Sequence, residues 1–169
     1  MSAALLSPTS HAVATSSKSR SRVLLRAASV IYVLFTLGHT IGGMLNDTHG
    51  GPRQAALFAA MRDYTVTVQG TTRSYWDFYR GFGFITSVLL ALAAVLSWML
   101  GDLGRTHPAQ ARRITVVLAL AMAATTWLAI TDFFPPQWIF AFVSTLLLFL
   151  AVLTLGRDAR QLTAEGDAR

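Results

Sequence analysis

The sequence predicts an all-α integral membrane protein: a four-helix bundle with a short amphipathic helix in the outer loop between spans 1 and 2. Three observations predict it. Of the 169 residues, 53% are hydrophobic and 13% charged, against a charged share of about a quarter in ordinary soluble domains. The apolar residues gather in four long runs. The 14 Lys and Arg, which set the net charge of +6, fall between those runs and form no single basic stripe. That placement argues for a membrane and against a nucleic-acid partner.

The runs span Val23 to Leu45, Gly81 to Leu100, Ile114 to Thr131 and Gln137 to Leu155. Each is about 18 to 23 residues, enough to cross roughly 30 Å of hydrocarbon at 1.5 Å per residue. A soluble helix would show a polar face at every turn, and these do not. The only charge within the first run is Arg26, close enough to its start to snorkel to the interface. Residues 23–156 therefore form one membrane domain, with tails at 1–22 and 157–169.

Orientation follows from the distribution of Lys and Arg. Ten lie on one side: Lys18, Arg20, Arg22, Arg26, Arg105, Arg112, Arg113, Arg157, Arg160 and Arg169. Four lie on the other, Arg53, Arg62, Arg73 and Arg80, all in the long first connection. The positive-inside bias places both termini in the cytoplasm, and the long loop and the tight Asp132–Pro136 turn outside. The Ser- and Thr-rich stretch 1–22 reads as a disordered cytoplasmic tail; an organelle transit peptide fits its composition less well, for want of an amphipathic helix. No secretory cleavage site precedes the full-length first span.

The outer loop carries its own elements. Asn46–Gly51 is turn-forming, and Pro52 suits a first helical position. From Arg53 to Tyr64, the residues Leu57, Met61 and Tyr64 recur at helical spacing and predict a surface helix. Thr65–Val68 alternates as a brief extended piece, broken at Gly70. Next come Tyr75, Trp76, Phe78 and Tyr79, where the second span enters the bilayer, as in an interfacial aromatic belt. Ser74 and Asp77 have capping-box spacing, and Asp77 and Arg80 are placed to pair on one helix face.

Inside the spans, His39 needs an explanation. Six residues from the end of the first run, it sits about 9 Å below the outer boundary. Ionisable groups at that depth face the bundle interior or a wet cavity. Tyr32, Thr36, His39 and Gly43 form a stripe at helical spacing, and Gly38 and Gly42 make a GxxxG step beside it. A neutral His39 that hydrogen-bonds a neighbouring helix accounts for this as well as chemistry does. Asp77, Tyr79 and Arg80, Asp132, and Gln137 with Trp138 all fall at the same outer end. A carboxylate there would hold an imidazole tautomer and make an acid/base pair; Asp132 equally suits the cap of its own turn.

Other chemistry is sparse. The chain has no cysteine, hence no disulfide and no thiolate site. Asp47 and His49 are metal-capable, but the pattern is too weak to predict a metal, and none is predicted. No cofactor is predicted either: there is no phosphate-cradling Gly-rich loop with Lys, no G-x-S-x-G elbow and no broken helix with midplane charges.

At Gly38–Gly43, Ser74–Gly83 and Asp132–Pro136 the chain resembles a family of short bacterial four-span membrane proteins that has no assigned activity. The likeness covers roughly residues 23 to 155, and Tyr75-Trp-Asp-Phe-Tyr79 is its most specific part. In layout the chain is also similar to DoxX-type four-helix membrane proteins. The resemblance implies a bundle in a bacterial inner membrane and carries over no catalytic residue.

Two functions remain open from the sequence. One is a membrane protein without catalysis that binds a lipophilic small molecule, or a partner membrane protein, in an outward pocket. That pocket would be lined by His39, Trp76, Asp77, Tyr79, Arg80, Asp132 and Trp138. The other is an enzyme that isomerises or cyclises a lipid-soluble substrate. There His39 would be the base, Asp132 or Asp77 its orienting group and Tyr79 a proton donor. Transport would need a homo-oligomer, formed through Gly38 and Gly42.

Overall fold

The computed structural model describes residues 9–46 and 50–167, with side chains over 20–46 and 50–165. Its elements are α1 (Thr9–Leu37), a π-helical segment (Gly38–Met44), α2 (Gly51–Asp63), β1 (Thr65–Val68), β2 (Thr71–Ser74), α3 (Tyr75–Thr106), α4 (Pro108–Asp132) and α5 (Pro135–Asp167). Among the described residues, four helices are long and apolar enough to cross a membrane: Arg20–Met44, Tyr75–Thr106, Pro108–Asp132 and Pro135–Glu165. This is the all-α membrane architecture that the sequence predicts. Asp47 and His49 lie outside the described residues.

The helices overrun the predicted spans. The tail expected to be disordered through Arg22 is helical from Thr9 onward, and the expected C-terminal tail continues α5 to Asp167. The reason is local. Between Thr9 and Leu37 there is neither Gly nor Pro, and the Ala, Lys and Arg in that stretch favour a helix once the apolar segment below has nucleated one. Pro108 and Pro135 open α4 and α5, where a missing N–H costs nothing. The connections around them are correspondingly short: His107 on one side, Phe133 and Phe134 on the other.

The chain divides into two compact units. The first comprises residues up to Tyr32 and from Ala93 on; the second is Val33–Leu92. In the first unit, α4 buries Pro108, Ala111, Thr115, Ala119, Met122, Thr126 and Ala129. These steps of three and four make a straight seam along one helix face. In α5 the buried positions Ala141, Ser144, Leu148, Ala151, Leu155 and Asp158 repeat the pattern. Most seam residues are small, which lets helix backbones approach closely where no water drives association. Polar contacts add to it: Thr126 and Thr145 hydroxyls lie 2.9 Å apart, and Ser29 donates to the Ala94 carbonyl at 2.8 Å. The opposite faces carry large apolar residues to the outside, such as Val117 at 69% exposure and Trp127 at 70%, which suits hydrocarbon and not water.

The basic end of this unit has a built polar network. Arg22 and Arg26 both reach Asp102 Oδ1, at 3.0 and 3.2 Å, and the Arg26 guanidinium lies 4.0 Å from the Trp98 ring centre. Buried Asp158 accepts from Ser21 Oγ at 3.1 Å. These contacts tie α1 to α3 and α5.

In the second unit, β1 and β2 form an antiparallel hairpin in the register Thr65↔Ser74 to Val68↔Thr71. The sequence predicts only its first strand. Gln69 (φ 50°) and Gly70 (φ 77°) both take the left-handed conformation that a two-residue hairpin turn of type I′ requires.

The seam can be tested with one substitution type placed on two faces. Ala119→Leu, at a fully buried position, is expected to cost about 1–3 kcal/mol through overpacking. Ala121→Leu, on the exposed face, should stay within ~0.5 kcal/mol. Unfolding in mixed micelles measures both, and equal losses would refute the assignment of the seam.

Candidate functional site

The second unit holds most of the candidate residues, and it is organised around the π-helical segment Gly38–Met44. Its three glycines, Gly38, Gly42 and Gly43, lower α-helical propensity by about 1 kcal/mol each relative to alanine, because a residue without Cβ loses more backbone freedom in the helix. The ladder widens accordingly, and the Leu45 N–H donates to the Thr40 carbonyl, five residues back, at 3.0 Å. Wide turns of this kind concentrate at functional sites. Gly43 stays beside His39 through this turn: a Cβ there would lie 3.8 Å from His39 Nδ1.

His39 is half-buried, and its Nε2 lies 3.0 Å from the Gly83 carbonyl oxygen on α3. A carbonyl only accepts, so Nε2 carries a proton, and the tautomer of an uncharged ring has its lone pair on Nδ1. Beside it, Thr40 Oγ1 donates to Ser87 Oγ at 2.8 Å, and Ser87 Oγ donates to the same Gly83 carbonyl at 3.3 Å. Gly83 leaves the space that Met44 Sδ occupies; a Cβ there would collide with it. His39, Thr40, Met44, Gly83 and Ser87 thus form one interlocked contact between the first span and α3. Of these, sequence reasoning singles out only His39. The available signal is Gly83 and Ser87, four apart on one face of α3.

Among the described residues no ion pair joins His39 to a carboxylate. The Asp77 carboxylate accepts from the Ser74 N–H and hydroxyl, both at 2.9 Å, and Ser74 Oγ accepts the Asp77 N–H at 3.2 Å. This is the predicted capping box, and it commits Asp77 to starting α3. Among the described residues no ion pair joins Asp77 to Arg80. Arg80 lies instead over the Phe84 ring, 5.4 Å from its centre. Asp132 belongs to the other unit, where it accepts from Thr131 Oγ1 at 3.0 Å at the end of α4. Trp138 is half-buried in that same unit.

Trp76 and Tyr79 do come together, one turn apart on α3, with rings stacked at 5.5 Å. Phe58 of α2 packs against both, at 4.8 and 6.4 Å, and Arg62 lies 4.3 Å from the Trp76 ring centre. The packed face of α2 is therefore Gln54, Phe58 and Met61; the predicted Leu57 and Tyr64 are exposed. Buried Trp76 selects this face, because an aromatic ring with a cation over it outweighs the aliphatic spacing. Tyr64, Tyr75 and Phe78 form a second chain of rings at 5.2 and 6.3 Å.

The start of α3 also bears a groove of about 230 Å³, lined by Arg73, Asp77, Phe78, Gly81, Phe82 and Ile85. One end is charged and the other apolar. A second groove, of about 250 Å³, continues from Gly81 and Ile85 to Val88 and Leu89. No protein-family model matches the chain, and no curated protein or solved structure matches it either.

His39→Gln keeps a donor for the Gly83 carbonyl and is expected to retain stability within about 0.5 kcal/mol. His39→Ala should lose roughly 0.5–1.5 kcal/mol, the range for one such hydrogen bond. Thermal unfolding of both variants in the same detergent measures the difference.

Proposed function

We propose that this is a bacterial inner-membrane protein, with both termini cytoplasmic, that binds a lipophilic small molecule bearing a polar head at its outer end. The observation that carries this reading is the groove at the start of α3. There Arg73 and Asp77 stand at one end and Phe78, Phe82 and Ile85 line the rest. A ligand lying along it would keep its head beside the charges and its tail against a surface already suited to hydrocarbon. The rings of Trp76, Tyr79 and Phe58 brace the helix that carries the groove. His39 then serves as a tie between helices, since its Nε2–H is spent on a backbone carbonyl.

A second reading is supported by one specific observation. Because that hydrogen bond fixes the tautomer, Nδ1 is presented as a base without any carboxylate, as an acid/base isomerase or cyclase would need. The two readings part at His39→Gln: a binding protein keeps its ligand, whereas an enzyme keeps the ligand and loses turnover.

Gly81→Leu tests the binding reading directly. An added Cβ at Gly81 meets open space, and a helical Gly→Leu exchange favours the helix, so the fold should hold while the side chain fills both grooves. Mass spectrometry of protein isolated in nanodiscs should show a lipophilic compound with wild type and at least a tenfold loss with Gly81→Leu. Equal retention by the two proteins would refute the groove.

Orientation is testable separately, because the chain has no cysteine. Thr71→Cys in the hairpin should react with an impermeant maleimide on intact cells, and Thr106→Cys only after permeabilisation. The opposite labelling would move the groove to the cytoplasmic face.

A further inference from the structure

Within the first unit, α4 and α5 enclose a groove of about 350 Å³. Arg112 and Arg113 from α4 and Arg160 from α5 line it, with Ala109, Val152, Leu153 and Gly156. The charge there is uncompensated: among the described residues, no carboxylate lies within 4.0 Å of any of the three guanidinium groups. Neighbouring acids are committed elsewhere, Asp102 to Arg22 and Arg26, and buried Asp158 to Ser21. Three like charges facing one cavity repel each other, and among the described residues no ion pair offsets that repulsion.

The walls are as informative as the charges. Val152 and Leu153 continue the apolar surface of α5 into the groove, and Leu153 is 60% exposed. Gly156 lets Arg112 lie close against α5; a Cβ there would stand 3.1 Å from Arg112 Nε. The groove is therefore cationic where the helices leave the membrane and apolar where they run into it. We infer that it is a binding site for the phosphate headgroup of an acidic phospholipid, with an acyl chain along Val152 and Leu153. Guanidinium forks match phosphate oxygens in pairs, and basic grooves between membrane helices hold acidic headgroups in this way. A soluble phosphate would gain nothing from the apolar wall, and Arg22 and Arg26 are not equivalent to these arginines, because both already share the Asp102 carboxylate.

Native mass spectrometry of the whole chain, released from bilayers of equal phosphatidylglycerol and phosphatidylcholine, tests the assignment. Wild type is expected to retain phosphatidylglycerol at least tenfold over phosphatidylcholine. Arg112→Gln/Arg113→Gln/Arg160→Gln should abolish that preference. So should Ala109→Glu, which places a carboxylate in the groove at an exposed first-turn position where an acid suits the helix. Arg105→Gln/Arg157→Gln, which removes charge from the same end outside the groove, should leave the preference intact. Loss of preference in that control, or its survival in Ala109→Glu, would show a diffuse charge effect and overturn the site. Displacement of the lipid by millimolar inorganic phosphate alone would also overturn it, since the apolar wall would then contribute nothing.

Discussion

In hydrocarbon, a backbone N–H or C=O that finds no partner in the chain costs several kcal/mol, and no water is available to take its place. Much of this molecule follows from that constraint. It makes the spans helical and tolerates a break in helical geometry only where other groups make up the difference. The π-helical segment Gly38–Met44 is such a break, and it lies where His39 and Thr40 form polar contacts with α3. The Gly83 carbonyl receives His39 Nε2–H and Ser87 Oγ–H, so the polar atoms brought into the span are used within it. An imidazole that would be costly alone becomes a tie between two helices.

Charge is held in two ways within the units. In the basic first unit, Asp102 accepts two arginines and Asp158 is buried against Ser21, so some of the charge is bound within the fold. In the second unit, cations meet rings: Arg62 over Trp76 and Arg80 over Phe84. Cation–ring contacts tolerate an interface where water is scarce, because the guanidinium plane is weakly hydrated and the aromatic faces are negative. The aromatics at the start of α3 are thus a packing device for α2 and the hairpin.

How much of this was legible in the sequence depended on the range of each signal. The four spans were legible because length and absence of charge are strong, local signals that no tertiary contact overrides. The capping box was legible too, since Ser74 and Asp77 are only three apart. The face of α2 was not. Leu57, Met61 and Tyr64 have the right period, but so do Gln54, Phe58 and Met61, and Trp76 decides between them from another helix. Gln69-Gly70 is a weaker hairpin signal than Asn-Gly, so the second strand was missed. The expected pairing of His39 with Asp77 or Asp132 rests only on all three falling towards the same outer end, and geometry reveals that Ser74 already holds Asp77.

The use of Asp77 at the start of α3 bears on which functional reading the molecule favours. An acid/base site commonly relies on a second group that orients the imidazole and stabilises its charged form. Here the orienting group is the Gly83 carbonyl, which fixes a tautomer but carries no charge to stabilise an imidazolium. Asp77, the nearest candidate in the sequence, gives its acceptor oxygen to the helix start. Loosening it to assist His39 would sacrifice the cap on α3, and with it the helix that positions Trp76, Tyr79 and the groove. A binding protein needs no such compromise: the contacts of His39, Thr40, Ser87 and Asp77 then hold α3 and its groove in place, and none has to move during function.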